Sequence, residues 1–445
     1  MRPRHLLVVA WWFPPLAGGG VHRPLQFVRH LARRGLRVSV LTAAPPGDAP
    51  RDEGLLDRIP SGVRVLRVPL LDPFRIWARI RGARGAAAGN GTAAARAPAP
   101  ARWRDLVTEA IALPDRWLPW VVPAAARAAV ALRGDEPELV FSTSPPHSVH
   151  LVAHALAGIF GAPLVLDFRD PWIGNPFRRY VAPIFARADS RLERRVVQAA
   201  AQVVVNTPAL ERQFRSRYPG IARLRTIPNG FDPEAFAGLP APEGGGSPGR
   251  VEIAHYGQLY GLRSGRYLLE ALALLRRDRP DAFARLRVLF VGSIDGEAAF
   301  RALAAQLRVE EAVAFAGTLP HREALARQRR SDVLLLLGPE NREPELQVPG
   351  KLYEYLAARR PILALSRRGG AIAELLETAG VAHERAEPDE PDAIAAALAR
   401  RAERGGEPAV GDAPEAFGYD RLSDRLLDCL EDAWRARSGP VRAGA

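Results

Sequence analysis

The segment VPGKLYEYLAARRPILAL, residues 348–365, gathers the groups best suited to chemistry in the second half of the chain. Pro349-Gly350 reads as a helix opening, with Lys351 in its first turn and Glu354 one turn further on. Free amides at a helix start, together with a lysine, can bind a diphosphate and stabilise its growing charge as it leaves. A carboxylate such as Glu354 can accept hydrogen bonds from the two hydroxyls of a ribose. A second cation, Arg263, follows the apolar run VEIAHYG, which ends at Gly257, and LRVLFVG ends another run at Gly292. Glu354 by itself is better explained as a solvated helix residue. The set of Gly257, Arg263, Gly350, Lys351 and Glu354 predicts a nucleotide-diphosphate site.

The first half carries a glycine loop, Gly18-Gly19-Gly20, between the run HLLVVAWWF and a helical segment. Amides at such a helix start favour an anion, although a tight turn with no ligand accounts for the glycines as well. The loop is no dinucleotide fingerprint. The third glycine of GxGxxG would be residue 23, which is Arg23, and RVSVLTA ends Leu41-Thr42-Ala43 without an acid for a ribose. Further on, APLVLDFRDPW places Asp167, Arg169, Asp170 and Trp172 at the end of a run, and STSPPHSVH offers His147 and His150. A carboxylate at a strand end can take a proton from a hydroxyl; a structural Asp–Arg pair and a core histidine are the alternatives.

Positioning such groups requires strands that end, and helices that begin, along a shared edge. Short apolar runs alternate here with longer amphipathic stretches, as in the βα units of a parallel sheet. HLLVVAWWF, RVSVLTA, ELVFSTS, APLVLDF and QVVVNT read as strands, with helices over the segment after Gly20, over 147–159 and over 184–200. Val21, Leu25, Val28 and Leu31 share one helical face, and Gly35 ends that helix. Residues 237–249, AGLPAPEGGGSPG, read as a linker. The alternation then restarts with VEIAHYG, LRVLFVG, VAFAG, DVLLLLG and PILAL. The expected fold is α/β, with two doubly wound parallel-sheet (Rossmann-like) domains, 1–236 and 250–412, facing across a cleft. A last helix within 413–445 packs back on the first domain in this reading, and a low-complexity insertion lies at about 82–101.

One cysteine in 445 residues excludes a disulfide scaffold, and 47% hydrophobic content can supply two cores. Cys429, in RLLDCLEDAW, reads as a buried structural thiol. The net charge is +13, yet the arginines are scattered and accompany an Ala-rich composition, which points to compositional bias for most of the surplus. Lys351 is the only lysine among 62 Lys and Arg residues. The stretch 74–122 mixes Arg with Trp, Leu and Ile; it suits an anionic membrane surface, or packing on the first domain. The run Leu6–Phe13 stops at Pro14-Pro15 without a small-residue cleavage site, so a buried strand is expected rather than a secretory signal. No run approaches the roughly 18 apolar residues of a membrane span. A cytoplasmic protein is expected, peripheral on the inner membrane face if 74–122 touches lipid. No cluster has metal-ligand spacing, and DEPD at 389–392 reads as a solvated loop before a helix.

Four segments together resemble the family 4 glycosyltransferases of GT-B type: FPPLAGGG, TIPNGFDPEAF, GQLYGLRS and GKLYEYLAARRPILAL. IPNGFD, 227–232, is a fairly specific marker. The resemblance implies transfer of a sugar from a nucleotide-diphosphate sugar, the co-substrate, to a hydroxyl of a glycan or glycolipid acceptor. It further implies retained anomeric configuration and no metal or other cofactor. It assigns Glu354 to the nucleotide ribose, as the second glutamate of an E-x7-E pair. The diphosphate Arg and Lys of the family fall at Gln258 and Arg263, and Lys351 stands in for the lost cation. The first glutamate of the pair falls at Leu346, beside Glu345 and Glu343, so the contact to the donor sugar differs from the family's. In the acceptor-binding first domain, Arg169 falls where a family histidine often faces the donor sugar. Asp170, Arg169 and His147 are the expected catalytic residues.

Two other functions fit parts of the sequence. A nucleotide-sugar epimerase of the same fold would need carboxylates arranged for elimination and readdition. A basic nucleic-acid-binding protein would account for the charge, but no helix-turn-helix, zinc or RNA-recognition signature is present, and nucleic acid is not an expected partner.

Overall fold

The computed structural model describes residues 3–47, 49–70, 103–175, 178–221, 223–240, 249–405 and 414–437. The low-complexity segment, the part of 74–122 before residue 103, and 241–248 of the expected linker lie outside these residues. Contacts divide the chain into two units, Met1–Pro228 with Tyr419–Ala445, and Asn229–Gly418.

In the first unit seven strands form one parallel sheet: β1 His5–Ala10, β2 Arg37–Ala43, β3 Arg64–Val68, β4 Leu139–Ser144, β5 Leu164–Phe168, β6 Gln202–Val205 and β7 Leu224–Thr226. Their order is β3-β2-β1-β4-β5-β6-β7, so the sheet winds outward in both directions from the β1/β4 pair. Both faces are covered, and this is why its strands read as continuous apolar runs. Leu7, Val9, Val140 and Leu166 pack on one side, with the helices Val121–Ala131, Ser148–Phe160 and Pro183–Ala199. Leu6, Val8, Val38 and Phe141 pack on the other, with the helices Gly19–Arg33 and Tyr419–Arg437. The latter helix adds Leu422, Leu426, Cys429 and Ala433, spaced to share a face, to this cluster, and its Tyr419 ring meets Phe27 edge-on with centroids 5.8 Å apart. Burial there pushes the Cys429 thiol up to about 12.

The second unit repeats the plan with six parallel strands: β8 Val251–Tyr256, β9 Leu286–Val291, β10 Val313–Gly317, β11 Val333–Leu337, β12 Ile362–Leu365 and β13 His383–Ala386. Their order is β10-β9-β8-β11-β12-β13, with its reversal between β8 and β11. Its own core joins Ile253, Val288, Leu335 and Leu363 to Leu268, Leu272 and Leu398 of the flanking helices.

The two wound sheets match the expectation, with three strands added: β3, β7 and β13, all at or next to a sheet edge. β13, HERA, carries no apolar run at all. Several boundaries move. β1 closes at Ala10, so Trp11–Phe13 belong to the loop, and Pro391 and Asp392 of the DEPD run open the helix Pro391–Arg404 instead of preceding it.

Candidate functional site

At the carboxyl end of the second sheet, the helix Gly350–Ala358 starts where the sequence placed it. Leu352, Tyr355 and Leu356 bury its inner face, no side chain caps its first turn, and open space surrounds Gly350. Tyr355 ties the helix to the β8/β11 junction: its hydroxyl accepts from the Tyr256 amide at 2.8 Å and donates to the Leu335 carbonyl at 3.3 Å. One turn earlier the Lys351 ammonium lies over Gly257 and donates to His255 Nε2 at 3.1 Å. Gly257 has φ +105°, and a Cβ there would stand 2.8 Å from Lys351 Nζ. Burial and the cation of Arg263 push Lys351 down to about 7, against the pull of Glu354. Lys351 thus stands at the end of β8, the position at which an ammonium can meet an anion approaching the helix start.

Arg263 is half-buried, donates to the Tyr260 hydroxyl at 3.2 Å, and keeps its Nε buried without a hydrogen-bond partner among the described residues. Its loop is fixed by Glu340, whose carboxylate accepts from Ser264 N, Ser264 Oγ and Gly265 N at the start of the helix Arg266–Asp278. Gln258, where the family resemblance put an arginine, is exposed and donates to Asp295 at 3.3 Å. Glu354 is half-buried and already engaged: His321 Nε2 lies 2.9 Å from one carboxylate oxygen and Gln328 Nε2 donates to the other at 3.2 Å. Glu345 is buried at the start of the helix Ala371–Ala379, accepting from the Ile372 amide at 3.2 Å. Its other oxygen is buried with no hydrogen-bond partner among the described residues, and burial raises its pKa, with the backbone of Glu345, Ile372 and Arg367 and the Arg263 cation opposing. Arg263 therefore acts electrostatically on both Lys351 and Glu345, and Glu354 acts on Lys351.

His255, His321, Glu340 and Glu345 complete this cluster without having been singled out as site residues. His255 and Glu340 sit at or just past strand ends, the signal that could have found them. His321 belongs to a helix distant in sequence, and only the fold brings it to Glu354.

In the first unit, Gly18 caps the helix Gly19–Arg33 with φ +110°, and no side chain caps that end. Gly18 and Gly19 are exposed, and a Cβ at Gly20 would crowd Trp12 at 3.0 Å. Arg23, which breaks the dinucleotide fingerprint, is buried in a bidentate pair with Asp167, at 2.9 and 2.7 Å. It also donates to the carbonyls of Ile227 and Pro228, and Thr143 Oγ1 donates to the same Asp167 at 2.7 Å. Arg169 spends its guanidinium on three carbonyls, Ser144 at 2.8 Å, Gly20 at 2.8 Å and Pro145 at 3.2 Å, and so staples the glycine loop to the ends of β4 and β5. The Asp–Arg pair at this strand end is therefore Asp167 with Arg23. Asp170 follows, partly exposed.

His147 is buried, stacked on Trp172 with centroids 5.2 Å apart and planes 11° from parallel. Burial pushes it down to about 3, so it is neutral at physiological pH. His150 is fully buried in the helix Ser148–Phe160, with Nδ1 2.8 Å from Ser142 Oγ. The geometry gathers Gly20, Arg169 and the β4 end at one point; Asp170 and His147 lie on adjoining segments.

A glycosyl transferase 4-like domain model matches residues 18–230, and a glycosyl transferases group 1 model matches residues 250–404. The chain belongs to the family 4 glycosyltransferases. It is 24% identical over 345 residues to a glycogen synthase of Mycobacterium tuberculosis, covering 76% of this chain and 73% of that one. It is 29% identical over 151 residues to a D-inositol 3-phosphate glycosyltransferase of Pseudarthrobacter chlorophenolicus, spanning about a third of each protein (32% and 36%). Among solved structures, this glycosyltransferase resembles Anabaena HepE in complex with UDP, with TM-score 0.56 and 15% identity over 97% of both chains. It also resembles WaaG, a glycosyltransferase involved in lipopolysaccharide biosynthesis, with TM-score 0.56 and 14% identity over 99% and 100% of the chains. These likenesses establish the GT-B fold. Among the described residues no group of three or more His, Cys, Asp or Glu is placed to hold a metal ion, and no helix is long and apolar enough to cross a membrane.

Proposed function

We propose that this glycosyltransferase takes a sugar from a nucleotide-diphosphate donor bound by its second unit and passes it to a hydroxyl of a glycan or glycolipid bound by its first. Transfer retains the anomeric configuration and uses no metal ion. The observation that carries the reading is the meeting of Lys351, Arg263 and an uncapped helix start at the end of β8, one turn from Glu354. Lys351, Arg263 and the Gly350 amide hold the diphosphate and neutralise it as it departs, while Gly257 lets the donor approach the backbone. Glu354, steadied by His321 and Gln328, receives the ribose. On the acceptor side Asp170 takes the hydroxyl's proton or steadies charge on the sugar carbon. Arg169 and the loop Gly18-Gly19-Gly20 shape that end, and His147 contacts the substrate as a neutral ring. HepE in complex with UDP supports a nucleotide donor by likeness.

Binding of UDP, GDP, ADP and dTDP sugars, followed by turnover, tests the assignment. Glu354→Ala and Lys351→Ala should each weaken donor binding about tenfold or more, whereas Asp170→Asn should lower turnover with donor binding intact. Equal loss of donor affinity in all three would refute the division of roles. Retention is checked by the product's anomeric configuration, metal independence by activity in EDTA, and the epimerase alternative by an epimer formed without acceptor.

The acceptor and the working location fit an anionic bilayer surface. Leu106, Val107, Ile111, Val181 and Ile184 are exposed, and Arg178 joins their two segments through Glu109 at 2.8 Å. Beyond Ile184 the same helix exposes Arg187, Arg191, Arg194 and Arg195, while its acids Asp189 and Glu193 are buried. Apolar side chains beside an all-cationic helix face complement anionic headgroups. Sedimentation with phosphatidylglycerol vesicles but not phosphatidylcholine vesicles, lost in Arg187→Glu/Arg191→Glu, is the expected result; equal behaviour with both lipids would overturn this placement.

A further inference from the structure

The imidazole of His255 faces the site without being one of its expected ligands. It lies on β8, buried, with Nδ1 3.0 Å from the Leu335 carbonyl of the neighbouring β11. A carbonyl only accepts, so Nδ1 carries the ring's proton and Nε2 is left as an acceptor. That acceptor is 3.1 Å from Lys351 Nζ. The Leu335 carbonyl also receives the Tyr355 hydroxyl, so one backbone atom of the β8/β11 junction fixes both the histidine tautomer and the helix that carries the lysine. Gly257 and Gly292 keep the space open: a Cβ on Gly257 would meet the ammonium, and one on Gly292 would stand 2.5 Å from the Gly257 carbonyl oxygen.

We propose that His255 is a positioning residue of the donor site: its neutral ring, locked by the Leu335 carbonyl, holds the Lys351 ammonium at the end of β8 for an incoming diphosphate. The inference rests on the donor-site reading above. It explains how a lysine supplied by the helix takes over at a loop whose residue 258 is glutamine. A flexible four-carbon side chain aimed by a fixed acceptor loses less freedom on binding the anion than an unheld one.

The charged and titratable groups facing the ammonium are His255 and Arg263, from β8 and the loop after it, and Glu354 on its own helix. Burial and Arg263 bring Lys351 down to about 7, so the free site sheds this proton as pH rises through neutrality. A bound diphosphate favours the charged lysine, so binding takes up a proton and weakens above pH 7. Removing the acceptor of His255 deprives the ammonium of a hydrogen bond and moves that weakening to lower pH.

The test is a double-mutant cycle on UDP, GDP, ADP and dTDP binding by calorimetry, with the full chain, between pH 6.5 and 8.5. His255→Phe should weaken binding of the preferred diphosphate about tenfold, and should change it less than twofold when Lys351 is already alanine. His255→Gln, which restores an acceptor, should recover most of the affinity and serves if the phenylalanine variant does not fold. The wild type should lose affinity with rising pH more steeply than Lys351→Ala. If His255→Phe weakens binding equally with and without Lys351, the role is structural packing and the proposal fails. If Lys351→Ala weakens binding and neither His255 variant does, it fails as well. If no diphosphate binds the wild type, the donor-site reading falls first and takes this inference with it.

Discussion

Arg23 shows how one residue can refuse one chemistry and secure another structure. It stands where a dinucleotide-binding loop needs glycine, and its guanidinium is buried against Asp167 and the carbonyls of Ile227 and Pro228. A buried pair broken on one side leaves an uncompensated charge, which costs about 3–5 kcal/mol. Arg23→Ala should therefore destabilise the protein by about that amount in urea unfolding, and a loss below about 1 kcal/mol would show that water relieves Asp167. The absence of the fingerprint was legible in the sequence, but the partner was not, since Asp167 lies 144 positions away. Arg169 is a similar case. Its position at a strand end suggested chemistry, and its three carbonyl acceptors make it a staple for the glycine loop. Lys351 drew notice for another reason: it is the single lysine of an arginine-rich chain.

Among the elements, the strands with apolar runs announced themselves, the edge strand β10 included, and β3 and β13 did not. β3 alternates arginines with Val65, Leu66 and Val68, and β13 is His-Glu-Arg-Ala; an edge strand with a solvated side has no reason to be continuously apolar. The helix start at Pro349-Gly350 was legible, whereas Pro391 opens a helix that the DEPD run was read as preceding. The helix Ala371–Ala379 is subtler, because its start is occupied by Glu345 from a distant loop. A Cβ on Gly370 would lie 2.4 Å from the Glu345 carboxylate. Gly370→Ala should expel that carboxylate from the helix start, lowering the thermal midpoint by several degrees (roughly 1–2 kcal/mol). Gly369→Ala is no control, since its φ of +71° is itself strained; Gly350→Ala, in open space, is the proper comparison for a substitution that only meets solvent.

For the whole molecule, stability should depend on pH through buried acids far from the donor site. Glu193 is buried on the helix Pro183–Ala199, where it accepts from the Tyr218 hydroxyl at 2.8 Å, and burial raises it to about 7. A carboxyl raised on folding binds more protons in the native than in the unfolded state between its two pKa values. The first unit should thus lose stability as pH rises from about 4.5 to 7. Glu193→Gln should flatten that decline, measured as the urea midpoint at pH 5 and pH 8; an unchanged slope would assign the dependence elsewhere. The family and the two wound sheets were legible because their signals are local and repeated, whereas Asp189 and Glu193 look like ordinary solvated residues of an arginine-rich helix until Trp172, Tyr180 and Tyr218 close over them. The helix Tyr419–Arg437 carries a last consequence. Because it completes the core of the first unit after the whole of Asn229–Gly418 has intervened, the order of synthesis and the order of folding part company. The ribosome delivers the residues of the second unit before the first gains the helix that meets Phe27 and Arg34, so a nascent chain stalled before residue 419 should recruit chaperones to its oldest part.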